Sequence, residues 1–181
     1  MKIFSNTGMD ATDSSNQAVS RFNYFSHCIT VKKAFNSPIF PWLLVILWAA
    51  AIFLLSNNPD PYGLLPEKIY QWVYKTHITG IRLTKILGLL GHMVQFGILA
   101  VLLVRALAWP GALSPRHVWL SILLSVLYGL TDEIHQIFIP GRAFQWLDLV
   151  MDSLGILLGL ALYVFVQFMR SKSQEQQSLY E

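Results

Sequence analysis

The chain has one cysteine in its 181 residues, Cys28, which lies in a polar leader ahead of the first apolar run. No internal disulfide can form, no cysteine-based metal site exists, and thiol redox chemistry has little to work with. Charge is scarce too: 13% of residues are charged, against about a quarter in ordinary soluble domains, while 54% are hydrophobic. A soluble globular fold does not suit that balance, and the mean hydropathy of +0.48 points to an integral membrane protein. The formal net charge of +3 is scattered over ends and loops. Nucleic-acid binding, which needs Lys and Arg clustered on one face, is therefore excluded. Nothing resembles GxSxG, a P-loop or a dinucleotide-binding glycine loop, so those enzyme classes have no support. The metal-ligand spacings HxxxH and HExxH are absent as well.

What the sequence does have is apolar length. Crossing a hydrocarbon core of roughly 30 Å takes about 20 helical residues, and four stretches fit, at about 39–56, 86–108, 118–139 and 144–169. The third is long enough only if its polar C-terminal end is counted. The fold class that follows is an all-α membrane protein, an antiparallel bundle of four transmembrane helices. Between the first two spans, "SNNPDPYGLLPEKIYQWVYKTHITGIRLTK" opens with helix-breaking prolines. Ile69, Trp72 and Val73 then fall at i, i+3 and i+4, which predicts an interfacial helix anchored by Tyr70, Trp72 and Tyr74.

Residues 1–37, rich in Ser, Asn, Asp and Thr, are expected to form a flexible polar tail. The transmembrane domain then covers 38–170, and 171–181 is a second polar tail. The first apolar run follows Lys32 and Lys33 without a clear small-x-small cleavage site, so it is expected to stay as an anchor. Near the span ends, Arg21, Lys32, Lys33, Arg105, Arg116, Arg170 and Lys172 fall on one side, against Lys68, Lys75, Arg82, Lys85 and Arg142 on the other. The positive-inside rule places the larger group, and both termini, in the cytoplasm.

An ionised side chain at a bilayer centre costs roughly 2.5 to 3.5 kcal/mol on insertion scales, so charges persist there only when interior, interfacial, paired or used. "YGLTDEIHQIFIPGR", Tyr128 to Arg142, concentrates them. At 100° per residue, Ser121, Ser125, Tyr128, Asp132, His135 and Gln136 share one arc of the third span. Lys85, Gly88, His92 and Gln95 share a face of the second, and Asp148, Asp152, Gly155 and Gly159 a face of the fourth. Antiparallel spans gather nearly all of these polar groups at one membrane face. Ser121, Ser125 and the GxxxG pair Gly155 and Gly159 are expected to serve close helix packing.

Asp132, Glu133, Asp148 and Asp152 face one permanent cation in this hairpin, Arg142, with His92, His135 and Lys85 as conditional partners. The unmatched acids are solvated at the interface, protonated by burial, or neutralised by a metal or another cation. No spacing among them is a ligand signature, so neither metal nor cofactor is expected. Arg142 is either a clasp to Asp132 or Asp148 or a ligand contact. His92 is a packing residue unless it lies beside Asp132, where it would be a proton acceptor.

Three segments together carry a family resemblance: "LSNNP", ending at Pro59; "LTKILGLLGHMVQFGILA", with Lys85 and His92; and "LYGLTDEIHQIFIPGRAFQWLDLVMDSLGILLG". In the last, D-E-x-x-Q is followed by P-G-R, an acidic residue and N/D-x-x-G. Over roughly Ile39 to Val166 the chain resembles the VanZ-like family of small bacterial membrane proteins. Relatives often carry Asn where this chain has Asp152, and Tyr where it has Phe96. The resemblance implies a multi-pass protein of the bacterial inner membrane, in a family named for members associated with glycopeptide resistance, and it agrees with a role near envelope precursors or lipids.

The first functional reading is binding or handling of a cell-envelope amphiphile, a lipid-linked precursor or lipoglycopeptide. Lys85 and Arg142 would hold its anionic head, with His92, Asp132, Gln136 and Asp148 completing the site. The second is an enzyme on the same substrate class, with Asp132 or Glu133 as general acid or base and His92 as proton partner. The third is a proton-coupled carrier, or an accessory subunit held by polar clasps. Membrane lipids are expected partners, together with a protein partner or a second copy of the chain.

Overall fold

A computed structural model describes residues 37–63 and 65–178. The expected polar tail at 1–37 lies, apart from Ser37, outside the described residues. Among the described residues five α-helices and one short hairpin follow in order: α1 Ile39–Ser56, α2 Glu67–Lys75, β1 His77–Ile78, β2 Ile81–Arg82, α3 Leu83–Ala108, α4 Pro115–Gln136 and α5 Trp146–Ser178. Helices α1, α3 and the stretch Trp146–Gln174 of α5 are long and apolar enough to cross a membrane. Helix α4 has 22 residues, about 33 Å of rise. Thr131, Asp132, Glu133, His135 and Gln136 in its last turns leave it less apolar than the other three.

Several boundaries differ from those expected. Helix α4 starts at Pro115 rather than about 118, because Ser114 caps it: the Ser114 backbone N–H donates to His117 Nδ1 at 3.3 Å, and Pro115 needs no partner for an N–H it lacks. It stops at Gln136 rather than 139. Tighter turns from Ile134 to Gln136 onto Ile137, Phe138 and Ile139 lead into Pro140 and Gly141, whose φ of 80° suits glycine. Helix α3 starts at Leu83 and α5 at Trp146. Helix α5 also runs on through Ser178, so most of the expected C-terminal tail is helical; Lys, Gln and Glu extend a helix already nucleated by the apolar stretch.

Helix α2 occupies the predicted connection, with Ile69 and Trp72 exposed and Val73 buried. Pro66 precedes it, Glu67 sits in its first turn and Lys75 in its last, both matching the helix dipole. A hairpin that the apolar pattern does not announce follows: His77 pairs with Arg82 and Ile78 with Ile81. Its two turn residues, Thr79 and Gly80, take φ of 51° and 82°, the combination that a two-residue turn matching strand twist requires.

Helix α3 packs most extensively on α5. A Cβ on Gly155 would collide with Met93 O, and one on Gly159 would lie 2.7 Å from Gly97 O, so this contact is backbone on backbone. These pairings make α3 and α5 parallel. Helix α4 runs the other way: Ser121 Oγ donates to Ala100 O at 2.7 Å near one end, and Glu133 Oε2 accepts from Gln145 N at 2.9 Å near the other. Helix α1 joins through long side chains, with Trp48 Nε1 donating to Gln95 O at 2.9 Å and Tyr128 Oη donating to Ala49 O at 2.7 Å. Ile52, Phe96, Leu99, Val104 and Ile156 fill the core between them.

Candidate functional site

The alternation of helix directions brings together the C-terminal end of α1, the N-terminal end of α3, the C-terminal end of α4 and the N-terminal end of α5. A cavity of 220 Å³ opens there, with Ser56, Tyr62, His92, Gln95, Asp132, Gln136 and Arg142 in its wall. Gln136 Nε2 donates to Asp132 Oδ2 at 3.0 Å, one helical turn back. Arg142, placed by the turn at Gly141, donates through Nη2 to Asn58 O at 2.9 Å and so ties the α4–α5 connection to the end of α1. Tyr62 Oη donates to Thr84 O at 3.1 Å. Burial pushes the Tyr62 phenol up, while the nearby Arg142 guanidinium pulls it down.

The loop that carries Tyr62 is set by local side-chain bonds. Asn58 Oδ1 accepts from Asp60 N, Asp60 Oδ1 accepts from Tyr62 N, and Tyr74 Oη donates to that same oxygen at 2.8 Å. The bond to Asp60 raises the Tyr74 phenol well above its ordinary value.

Beside the cavity lies the acidic cluster. His92 Nδ1 is 3.0 Å from Asp152 Oδ1, and its Nε2 is 3.9 Å from Asp148 Oδ2. Glu133 accepts the Gln145 backbone N–H. Asp132, Glu133, Asp148 and Asp152 are all buried, at 6%, 0%, 7% and 1% exposure. Glu133 Oε1 and Asp152 Oδ2 have no hydrogen-bond partner among the described residues. One donor atom each from His92, Glu133 and Asp148 lie within 4.8 Å of one another. The expectation of no metal rested on spacing along the chain, and these donors come from three different helices.

Of the candidate residues, His92, Asp132, Gln136 and Arg142 line the cavity together, while Glu133 and Asp148 meet His92 alongside it. Lys85 is exposed, does not line the cavity, and donates to Gln145 Oε1 at 2.7 Å. Arg142 makes no ion pair with Asp132 or Asp148 among the described residues; its clasp is to a carbonyl, because the turn aims it at α1 rather than along α5. His92 takes Asp152 rather than Asp132 as its hydrogen-bond partner. His135 leaves the polar stripe and lies against Phe53, ring centroids 4.8 Å apart. Asp152, Tyr62 and Gln145 join the site without having been candidates. Asp152 had a signal in its shared helix face with Asp148, whereas Tyr62 and Gln145 sit in irregular segments where periodicity says nothing.

Long apolar helices, backbone-close glycine packing and a polar site confined to one end of the helices define an integral membrane protein. Residues 40–167 match the family model described as VanZ/LLP1. The match covers most of the chain, and the protein belongs to the VanZ/LLP1 family. No curated protein and no solved structure matches the chain.

Proposed function

We propose that α1, α3, α4 and α5 all cross the bacterial inner membrane, with α2 lying in the interface and both termini cytoplasmic, and that the polar cavity binds the anionic head of a cell-envelope amphiphile. The candidates are a lipid-linked precursor or a lipoglycopeptide. The observation that carries this reading is a guanidinium in the wall of a small cavity, at the end of a bundle whose helices expose many large apolar side chains. Arg142 uses one N–H on Asn58 O, and its fork geometry offers further donors for a phosphate or carboxylate. Gln95 and Gln136 supply neutral polar contacts, and Asp132 holds the Gln136 amide in place. Lys85 acts outside the cavity, so its contribution is smaller than that of Arg142. Membrane lipids are the surrounding partners, and a protein partner or a second copy of the chain is compatible with the exposed apolar surface.

The test is to purify wild type, Asp132→Asn and Arg142→Ala in mild detergent and identify retained lipids by native mass spectrometry. Wild type should retain an anionic amphiphile, and Arg142→Ala should lose it, with affinity down about tenfold or more for a charged hydrogen-bond partner removed. Identical ordinary phospholipids on all three proteins would sink the reading.

A second reading is supported by the contact of 3.0 Å between His92 Nδ1 and Asp152 Oδ1, since a carboxylate that orients an imidazole is also the arrangement of a general base. On that reading His92 takes a proton from the bound amphiphile or from water, and Asp132 or Glu133 is the complementary acid. Turnover of a lipid-linked substrate by wild type and not by His92→Gln supports it; binding without turnover rejects it.

A further inference from the structure

Four buried carboxylates gather around one imidazole: Asp152 and Asp148 approach His92 at 3.0 and 3.9 Å, Glu133 has a donor atom within 4.8 Å of it, and Asp132 lines the same cavity as His92. Among the described residues no Lys or Arg pairs with any of them, and His92 is their sole ion-pair partner. Arg142, which lines the same cavity as Asp132, is bonded to Asn58 O instead. Such a group, when ionised, is strongly unfavourable in a low-dielectric bundle, and it is relieved by taking up protons or by a compensating cation. Hydrogen bonds do not complete the compensation, because Glu133, at 0% exposure, keeps Oε1 unpartnered and Asp152, at 1%, keeps Oδ2 unpartnered.

The geometry points to a divalent metal ion held by His92, Glu133 and Asp148. Their donor atoms lie within 4.8 Å of one another and come from α3, α4 and α5 respectively. Ligand bonds of about 2.0–2.2 Å in a tetrahedral site put ligands about 3.4 Å apart, so the set closes on an ion with side-chain shifts of about an ångström or less. The distance of 3.9 Å from His92 Nε2 to Asp148 Oδ2 is already near that spacing.

Asp152 supplies the feature that separates a metal site from an acid cluster. Its Oδ1 lies 3.0 Å from His92 Nδ1, a contact that as an ionised carboxylate it makes by accepting an N–H, which frees Nε2, 3.9 Å from Asp148 Oδ2, to act as the ligand. A carboxylate fixing the tautomer of a ligand imidazole is the usual outer support of such sites. One imidazole with two carboxylates is a mixed set that suits Zn²⁺ or Mn²⁺ better than Mg²⁺, which prefers oxygen and water. His92 also lines the polar cavity, so the ion would stand in its wall and turn an acid-rich surface into one that accepts an anion beside Arg142. The ion site itself does not depend on the amphiphile reading.

The experiment uses full-length protein in detergent, stripped with chelator, re-equilibrated with Zn²⁺, Mn²⁺ or Mg²⁺ alone, and assayed by titration calorimetry and by metal content after gel filtration. Wild type should bind about one equivalent of Zn²⁺ or Mn²⁺ and gain thermal stability from it. Glu133→Gln keeps an oxygen for the Gln145 N–H and should still fold, yet lose about tenfold or more in affinity together with the thermal gain. Asp148→Asn should do the same, and Glu67→Gln on α2 should match wild type. Co²⁺ bound to wild type should show visible d–d bands that His92→Gln alters. Absence of stoichiometric Zn²⁺ and Mn²⁺ in wild type, or equal retention by Glu133→Gln and Asp148→Asn, would overturn the site. Because no amphiphile is added, failure here leaves the lipid-retention result standing, and loss of lipid retention leaves this one standing.

Discussion

Asp152 shows how one buried side chain can be judged by which of its properties the fold uses. Its Oδ1 meets His92 at 3.0 Å, whereas its Oδ2 is buried without a hydrogen-bond partner. Asn keeps an oxygen acceptor and removes a buried charge, so Asp152→Asn should change stability by less than about 1 kcal/mol. Asp152→Leu leaves the imidazole N–H unpaired and should cost about 2–3 kcal/mol. Thermal unfolding of the metal-free proteins in detergent separates the two. Equal losses would mean that the charge, not the acceptor, holds His92.

At the scale of elements, the glycines of the helix pair divide sharply. Gly155 is pressed on Met93 O, while Gly88, on the polar face of α3, has nothing within 4 Å of a built Cβ. Gly155→Ala should therefore force α3 and α5 apart, costing about 3 kcal/mol or more, the upper end of overpacking. Gly88→Ala should gain about 0.5–1 kcal/mol of helix propensity. Similar melting temperatures for the two variants would contradict the backbone-on-backbone contact.

The 57–66 connection makes a pH prediction. Tyr74 is bonded through its proton to Asp60, and its folded phenol ionises above the ordinary value of 10.0. A raised folded value means that the bond's contribution is whole below pH 10 and is lost as pH climbs through the folded value. Wild type should thus exceed Tyr74→Phe in stability at neutral pH and lose that margin in strong alkali. A margin that persists unchanged would place the stabilisation elsewhere.

For the whole molecule the decisive quantity is the number of crossings. Among the described residues three helices are long and apolar enough on composition alone, and α4, packed against α3 and α5 with its polar end turned to the cavity, is proposed as the fourth. If α4 crosses, Ala112 before it and Ala143 after it lie on opposite sides of the membrane; if it does not, they lie on the same side. Ala112→Cys and Ala143→Cys variants, each in a Cys28→Ser background, can be labelled with an impermeant maleimide in oriented vesicles. Opposite accessibility is expected, and matching accessibility would remove α4 from the membrane. The charge distribution along the spans predicts that Ala112 is on the cytoplasmic side.

Composition and apolar length were enough, without coordinates, to establish a helical membrane protein, because hydrophobicity over about 20 residues is a local property that needs no partner. Helical periodicity likewise put His92, Asp132 and Gln136, which line one cavity, on polar helix faces and grouped the small residues of α5, since position on a helix follows from counting residues. Boundaries were less legible: the Ser114 cap and the Thr79–Gly80 turn depend on backbone geometry that polarity averages conceal. Partners were not legible at all. That His92 pairs with Asp152, that Arg142 turns to Asn58 O, and that Glu133 and Asp148 converge on one imidazole were decided by how α1, α3, α4 and α5 pack. Contacts between helices some tens of residues apart depend on relative rotation and closeness, and here the glycine contact of α3 on α5 sets both.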